Sequence, residues 1–138
     1  MSDASIILIN QRIEIERLGQ FVGHFGEAHH LLADEILDIN LVLDEIVSNV
    51  IAHGYEDDRE HRIHVSLALD ADLLRIQVED DGRPFNLLEA PPPKLDLSIE
   101  DRPIGGLGIH IVRSLTDGLE HRREDGRNVV TLKKKIRR

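Results

Sequence analysis

Residues 61–80 contain two stretches in which large apolar residues recur at every second position, separated by a short turn. Alternation with a period of two is typical of a β-strand that buries only one of its faces. The apolar positions are Ile63, Val65, Leu67 and Leu69 in the first stretch and Leu74, Ile76 and Val78 in the second. The sequence Asp70-Ala71-Asp72 between them predicts a tight turn. Residues 61–80 are therefore predicted to form a β-hairpin with one face against a core.

Three other segments have the three- and four-residue spacing of apolar positions that is typical of amphipathic helices. The first helix is expected over about 12–30. The second is expected to begin at Asp34, as its N-cap, and to end at Gly54. A shorter helix is expected over 106–117, where one face is predicted to carry Leu107, Ile111 and Leu115.

The remaining segments predict strands and one long loop. A short apolar run over 5–10 is predicted to be a strand, and 119–136 a second hairpin whose last strand places Lys134 on its apolar face. Residues 85–104 are rich in proline and have no sustained period, which is typical of a lid or binding loop. We expect one α+β domain over 1–138, a two-layer sandwich of a mixed, mostly antiparallel sheet with about three helices on one face.

Composition limits the classes of function. The 138 residues include 17 basic and 26 acidic side chains, a net charge of −9, which disfavours direct nucleic-acid binding despite the basic KKKIRR segment near the C-terminus. The chain has no cysteine, and no apolar stretch approaches the length that spans a membrane. The N-terminal residues do not resemble a secretory signal. We expect a soluble, cytoplasmic protein without a membrane partner.

The second predicted helix carries polar residues at the edge of its apolar face. Glu45 and Asn49 are four residues apart, and so roughly 40° apart around the helix axis. Asn is a poor helix former, because its side chain competes for backbone hydrogen bonds. Taken alone, the pattern favours an ordinary solvent-facing stripe, with a site at the rim of the buried face as the alternative.

The end of the first hairpin carries an acid where an apolar residue is expected. Asp80 continues the inward row, whereas Asp81 shares the outward side of the strand. A buried carboxylate is costly unless another group pairs with it, and Gly82 leaves room for a flat ligand to approach. A simple Asp-Gly turn that ends the strand is an equally good interpretation of this segment alone.

A third segment combines glycines with the start of a helix. Gly105, Gly106 and Gly108 open the predicted third helix, where exposed backbone N–H groups can hold a phosphate. The segment is neither a Walker A loop nor a complete dinucleotide-binding fingerprint. Glycines that only permit a tight entry into the helix are the alternative. The three segments together supply the groups that a Mg-nucleotide needs.

The three segments resemble the conserved boxes of the GHKL ATPase superfamily, and within it the small bacterial anti-sigma factor/serine protein kinases. DEIVSNVIAHGYE resembles the N box, VEDDGRPF the G1 box and GGLGIHIVR the G2 box. The resemblance implies a Bergerat-type ATP-binding fold and the cofactors ATP and Mg²⁺. It also implies a homodimer that sequesters a sigma factor and phosphorylates a serine on an antagonist protein.

The resemblance also implies roles for individual residues. Glu45 matches the catalytic general base, Asn49 the Mg²⁺ ligand and Asp80 the residue that reads adenine. The remaining predicted nucleotide contacts are Gly82, Gly105, Gly106, Leu107 and Gly108. Pro84 replaces the second G1 glycine of many members, and Arg102 is a candidate contact to the γ-phosphate. An ATP-gated binding module without kinase activity is the alternative function. The roles of Ser48 and His53 stay open.

Overall fold

The computed structural model describes residues 2–84 and 106–137, which contain three helices and five strands. The helices are α1 (Glu14–Ala28), α2 (Ala33–His53) and α3 (Gly106–Leu115). The strands are β1 (Ser2–Ile9), β2 (Arg62–Asp70), β3 (Leu73–Asp80), β4 (Gly118–Glu124) and β5 (Arg127–Lys135). The candidate lid residues 85–104 lie outside the described part of the chain.

The strands form one sheet in the order β1-β2-β3-β5-β4. All four pairings between described strands are antiparallel, whereas the sequence predicted a mixed, mostly antiparallel sheet. The inward rows of both hairpins are buried as predicted, since Ile63, Leu74 and Leu132 have no exposed surface. They share one apolar core with residues of all three helices. The α+β architecture predicted from the sequence is confirmed.

The bounds of α2 and the buried face of α3 differ from prediction. The N-cap of α2 is Leu32 rather than Asp34, which lies inside the first turn and accepts a hydrogen bond from the backbone N–H of Glu35 (3.0 Å). Gly54 follows the helix, as expected. In α3 the predicted apolar row was wrong for Ile111, which is 41% exposed, whereas Leu115 of the same row packs against the core.

The buried face of α3 instead carries Ile109 and Val112, which are three residues apart and join the core. The rotation of this helix is set by its packing on α2, which the periodicity of a ten-residue segment does not specify. No helix among the described residues is both long enough and apolar enough to cross a membrane.

Candidate functional site

Glu45 and Asn49 lie in the second half of α2 and contact each other through their side chains. The Nδ2 group of Asn49 donates to Oε1 of Glu45 (2.7 Å) and to its backbone carbonyl (2.8 Å). Asn49 is only 7% exposed, so the solvent-stripe interpretation was wrong for this residue. Within the described residues both side-chain hydrogen bonds of Asn49 are donated by its Nδ2 group. Its side-chain oxygen is left as an acceptor that suits Mg²⁺.

The first turn of α3 lies directly against this pair. A Cβ built on Gly108 would overlap the carboxylate of Glu45, so no other residue fits there without movement. Backbone N–H groups at the start of a helix are unpaired and attract anions. In the structure the predicted G2 glycine, Gly108, therefore contacts Glu45, the predicted base. Gly106 begins the same helix, the side chain of Leu107 is not described, and Gly105 and Arg102 lie outside the described residues.

Asp80 ends the inward row of β3 and is 4% exposed. Its Oδ1 accepts hydrogen bonds from the backbone N–H of Gly82 (2.9 Å) and from Nδ2 of Asn128 (3.1 Å). Burial raises the pKa of Asp80, and these two hydrogen bonds oppose the rise because they favour the ionised carboxylate. A buried carboxylate with one oxygen held in this way can accept from an amino group of a flat base through the other.

Gly82 allows the end of β3 to lie close against the end of α2. A Cβ at this position would overlap the carbonyl oxygen of Gly54, and the next residue, Arg83, donates its backbone N–H to that oxygen (2.8 Å). The guanidinium of Arg83 also donates to the backbone carbonyl of His53 (2.8 Å). The N-box helix and the G1 loop are therefore joined through backbone groups, which places Asp80 at the C-terminal end of α2.

Sequence reasoning missed two residues that hold this loop. Asn128 lies opposite Asp80 in the β3–β5 pairing and donates to the carbonyl of Arg83 (2.8 Å) as well as to Asp80. Arg123 on β4 donates to the carbonyl of Gly82 (2.8 Å). Asn128 follows an Asp-Gly turn and resembles a turn residue in the sequence. Alternation along the strand places Asn128 on the same face as Val130, and this could be read from the sequence. The strand register that brings Asn128 opposite Asp80 could not.

Ser48 and His53, whose roles the sequence left open, have local contacts. The hydroxyl of Ser48 donates to Oδ1 of Asp44 (3.3 Å) on the outer surface of α2. His53 contributes its backbone carbonyl to Arg83, as described above. Neither contact is with Glu45 or Asn49.

A histidine-centred cluster borders the G1 loop. The ring of His61 contacts Asp57 through Nε2 (2.7 Å) and Asp81 through Nδ1 (3.1 Å), and it stacks on Tyr55 with a centroid distance of 4.2 Å. The hydrogen bond to Asp57 raises the pKa of His61, and the same bond lowers the pKa of Asp57. The cluster fixes the segment that follows α2 against the residue next to Asp80.

A cavity of about 550 Å³ bounded by described residues lies away from these groups. At its wall the Nζ of Lys134 donates to the carbonyl of Leu115 at the end of α3 (3.0 Å) and lies 3.5 Å from Glu35 and 3.6 Å from Asp38. Glu35, 1% exposed, also accepts from Arg137 (2.9 Å). These ion pairs tie β5 to the start of α2 and the end of α3, which is a structural role.

The fold, the Glu45–Asn49 pair, the buried Asp80 and the glycine contact with Glu45 are consistent with an ATPase domain of the histidine kinase type. The sequence matches the histidine kinase-like ATPase domain family over residues 11–134, and the chain belongs to this family.

Proteins with similar sequences include serine protein kinases and anti-sigma factors. The chain is 30% identical over 104 residues to the anti-sigma F factor of Clostridium perfringens, covering 75% of this chain and 74% of the relative. It is 28% identical over 94 residues to the serine/threonine-protein kinase BtrW of Bordetella bronchiseptica (68% of this chain) and 30% identical over 104 residues to the serine-protein kinase RsbW of Bacillus cereus (72%). The matches span 66% and 64% of the lengths of BtrW and RsbW.

A solved structure shows the same fold. The RsbU and RsbW domains of Rv1364c from Mycobacterium tuberculosis superpose with a TM-score of 0.73 at 19% identity. The superposition covers 100% of this chain and 33% of that one.

Proposed function

We propose that this chain is an ATP-dependent serine protein kinase that also acts as an anti-sigma factor. The single observation that carries the proposal is the contact of Gly108 with Glu45 beside Asn49, because it joins a phosphate-binding helix start to a base and a metal ligand. Family membership supports the use of ATP, and the names of the relatives support the kinase and anti-sigma roles.

The proposed site residues fit Mg-ATP. The amide oxygen of Asn49 would hold Mg²⁺, Asp80 would accept from the adenine amino group with Gly82 allowing close approach, and the segment Gly105–Gly108 would hold the phosphates through backbone N–H groups. Bound Mg-ATP would supply the phosphoryl group and neutralise the charge that develops on it.

In the proposed reaction Glu45 accepts the hydroxyl proton of a serine on an antagonist protein. The bond from the serine Oγ to the γ-phosphorus forms, the bond from that phosphorus to the β,γ-bridging oxygen breaks, and ADP leaves. The hydrogen bond from Asn49 to Oε1 orients the carboxylate for this transfer.

The partners follow from the same proposal. A sigma factor and a serine-bearing antagonist bind a cytoplasmic, homodimeric protein that does not itself contact nucleic acid, in line with the net charge of −9. Residues 1–138 form a single ATP-binding domain in this proposal. Light scattering coupled to size-exclusion chromatography measures the oligomeric state, and a monomer at micromolar concentration would contradict the homodimer.

Calorimetric titration with ATP, with and without Mg²⁺, tests the proposal in four proteins. Wild type is expected to bind, and Asn49→Ala to lose the Mg-dependent part of the affinity. Glu45→Gln is expected to bind but to transfer no phosphate to the antagonist, as measured by phosphoserine. Asp44→Asn removes a carboxylate from the outer surface of the same helix and serves as the matched control, with both properties retained.

Two outcomes would change the assignment. Wild-type protein that binds no ATP at millimolar concentration would overturn the nucleotide site. ATP binding that changes the affinity for a sigma factor without any phosphoserine would favour the alternative, an ATP-gated binding module.

A further inference from the structure

The amide of Asn128 lies at the centre of a buried polar chain beside Asp80. Asn128 is 3% exposed and occupies the position on β5 directly opposite Asp80 on β3. Its Nδ2 donates to Oδ1 of Asp80 (3.1 Å) and to the carbonyl of Arg83 (2.8 Å), while its own Oδ1 lies 3.2 Å from Nε2 of His121. Asn128 lies outside the three sequence boxes.

The orientation of this amide is determined by its neighbours. Asp80 and Arg83 both present oxygens, which accept hydrogen bonds, so the Asn128 nitrogen must face them. The Asn128 oxygen then faces His121, which donates from Nε2. Both amide ends are occupied, and the side chain is held in one orientation by β3, β4 and the G1 loop.

The consequence is an asymmetric carboxylate. Among described residues both hydrogen bonds to Asp80 fall on Oδ1, one from Gly82 and one from Asn128. Oδ2 is therefore the oxygen that remains for a ligand. The hydrogen bond from Asn128 also lowers the pKa of Asp80 against the effect of burial, which favours the ionised, acceptor-only form.

We propose that Asn128 is a positioning residue that orients Asp80 for recognition of an exocyclic amino group on a purine, and so sets the preference for adenine over guanine. This proposal rests on the proposed nucleotide site. An ionised carboxylate accepts from the 6-amino group of adenine and repels the 6-oxo group of guanine. A protonated carboxyl donates to the oxo group, and a carboxylate that is free to rotate no longer holds its acceptor oxygen towards the amino group, so both changes weaken this discrimination.

The experiment measures the ATP and GTP dissociation constants of wild type, Asn128→Ala, Asn128→Ser and Arg127→Gln. Arg127 immediately precedes Asn128 on β5 and pairs with Glu79 (3.7 Å) rather than with Asp80, so its variant is the control. Asn128→Ala is expected to weaken ATP binding about tenfold and to lower the ratio of GTP to ATP dissociation constants by a similar factor. Asn128→Ser, whose hydroxyl can still donate to Asp80, is expected to recover part of both.

A second readout does not need a nucleotide. The carboxyl ¹³C chemical shift of Asp80 is followed by NMR against pH, and its pKa is expected to rise in Asn128→Ala and not in Arg127→Gln. Should Asn128→Ala fail to fold, Asn128→Ser carries both measurements.

The outcomes separate this proposal from the one on which it rests. A wild type that binds neither nucleotide overturns the nucleotide site together with this role of Asn128. A wild type that binds ATP, with an unchanged ratio and an unchanged Asp80 pKa in the Asn128 variants, overturns only the role of Asn128. Loss of thermal stability with an unchanged ratio would show a structural role alone and would also overturn it.

Discussion

The carboxylate of Glu45 in α2 packs against the backbone of Gly108 in α3, a helix that is distant in the sequence. The contact joins the start of α3 to the middle of α2, where Asn49 also bonds Glu45. The proposed base, the proposed metal ligand and a helix start that attracts anions therefore lie close together. None of the three alone defines a site, because each has an ordinary structural explanation.

Gly108→Ala is expected to weaken ATP binding and to abolish phosphate transfer, because the new methyl group lies at the helix start that is proposed to hold the phosphates and must displace the Glu45 carboxylate. Calorimetric titration measures the binding. Gly23→Ala is the control, since nothing lies within 4 Å of a Cβ at Gly23 in α1. It is expected to stabilise the fold by about 0.5–1 kcal/mol, the helix propensity difference, with unchanged binding. Normal ATP affinity in Gly108→Ala would refute the proposed location of the phosphates.

Gly82→Ala is expected to destabilise the fold by about 1–3 kcal/mol, because its methyl group would overlap the Gly54 carbonyl, which bonds the Arg83 backbone. Urea unfolding measures the change. In Gly19→Ala the added Cβ would have only an ordinary contact, 3.8 Å from Asn40. A Gly82→Ala protein as stable as Gly19→Ala would contradict the close approach of α2 and the G1 loop.

Lys134→Met is expected to destabilise the fold by about 1–3 kcal/mol, since the buried carboxylate of Glu35 would lose a cation at 3.5 Å while it keeps the hydrogen bond from Arg137. Equilibrium urea unfolding measures the effect. The exposed neighbour Lys135→Met is the control and should change stability by about 0.5 kcal/mol or less. Adding Glu35→Gln to Lys134→Met should recover part of the loss, because no buried carboxylate then remains. Equal effects of the two lysine variants would refute a stabilising ion pair.

His61 is expected to make stability depend on pH. Its folded-state pKa is raised, first by the hydrogen bond that it donates to Asp57 and further by Asp81, so the folded state holds the proton more tightly. The stabilisation is complete below the unfolded pKa of about 6.5 and is lost as the pH rises through the folded value. Urea unfolding between about pH 5 and 9 should show this decline, and His61→Gln should reduce it.

The lowered pKa of Asp57 makes stability depend on pH in the opposite direction. Its stabilisation is present above the unfolded value of about 3.9 and is lost as the pH falls through the lower folded value. The two groups together place the greatest contribution of the cluster between about pH 4 and 6.5. An identical pH profile in wild type and His61→Gln would exclude the cluster as its source.

The alternation in 61–80 was enough to predict the β2–β3 hairpin and to place Asp80 on its buried face. Strand parity depends only on neighbouring residues, and a residue's side follows from counting. The four-residue spacing likewise predicted that Glu45 and Asn49 are neighbours on one helix, which their hydrogen bond confirms. The rotation of α3 was predicted wrongly, because a ten-residue helix with apolar residues on several sides does not define its own buried face.

The amino-acid sequence by itself determined the helices, the hairpins and the polar residues that interrupt their apolar faces, because these follow from periodicities of two and 3.6 residues. Only the tertiary structure decided that Asn128 lies opposite Asp80, that Gly108 lies on Glu45 and that Lys134 pairs with Glu35. These contacts depend on strand register and helix packing between distant segments. Register and packing minimise the free energy of the whole core, and no local pattern specifies them.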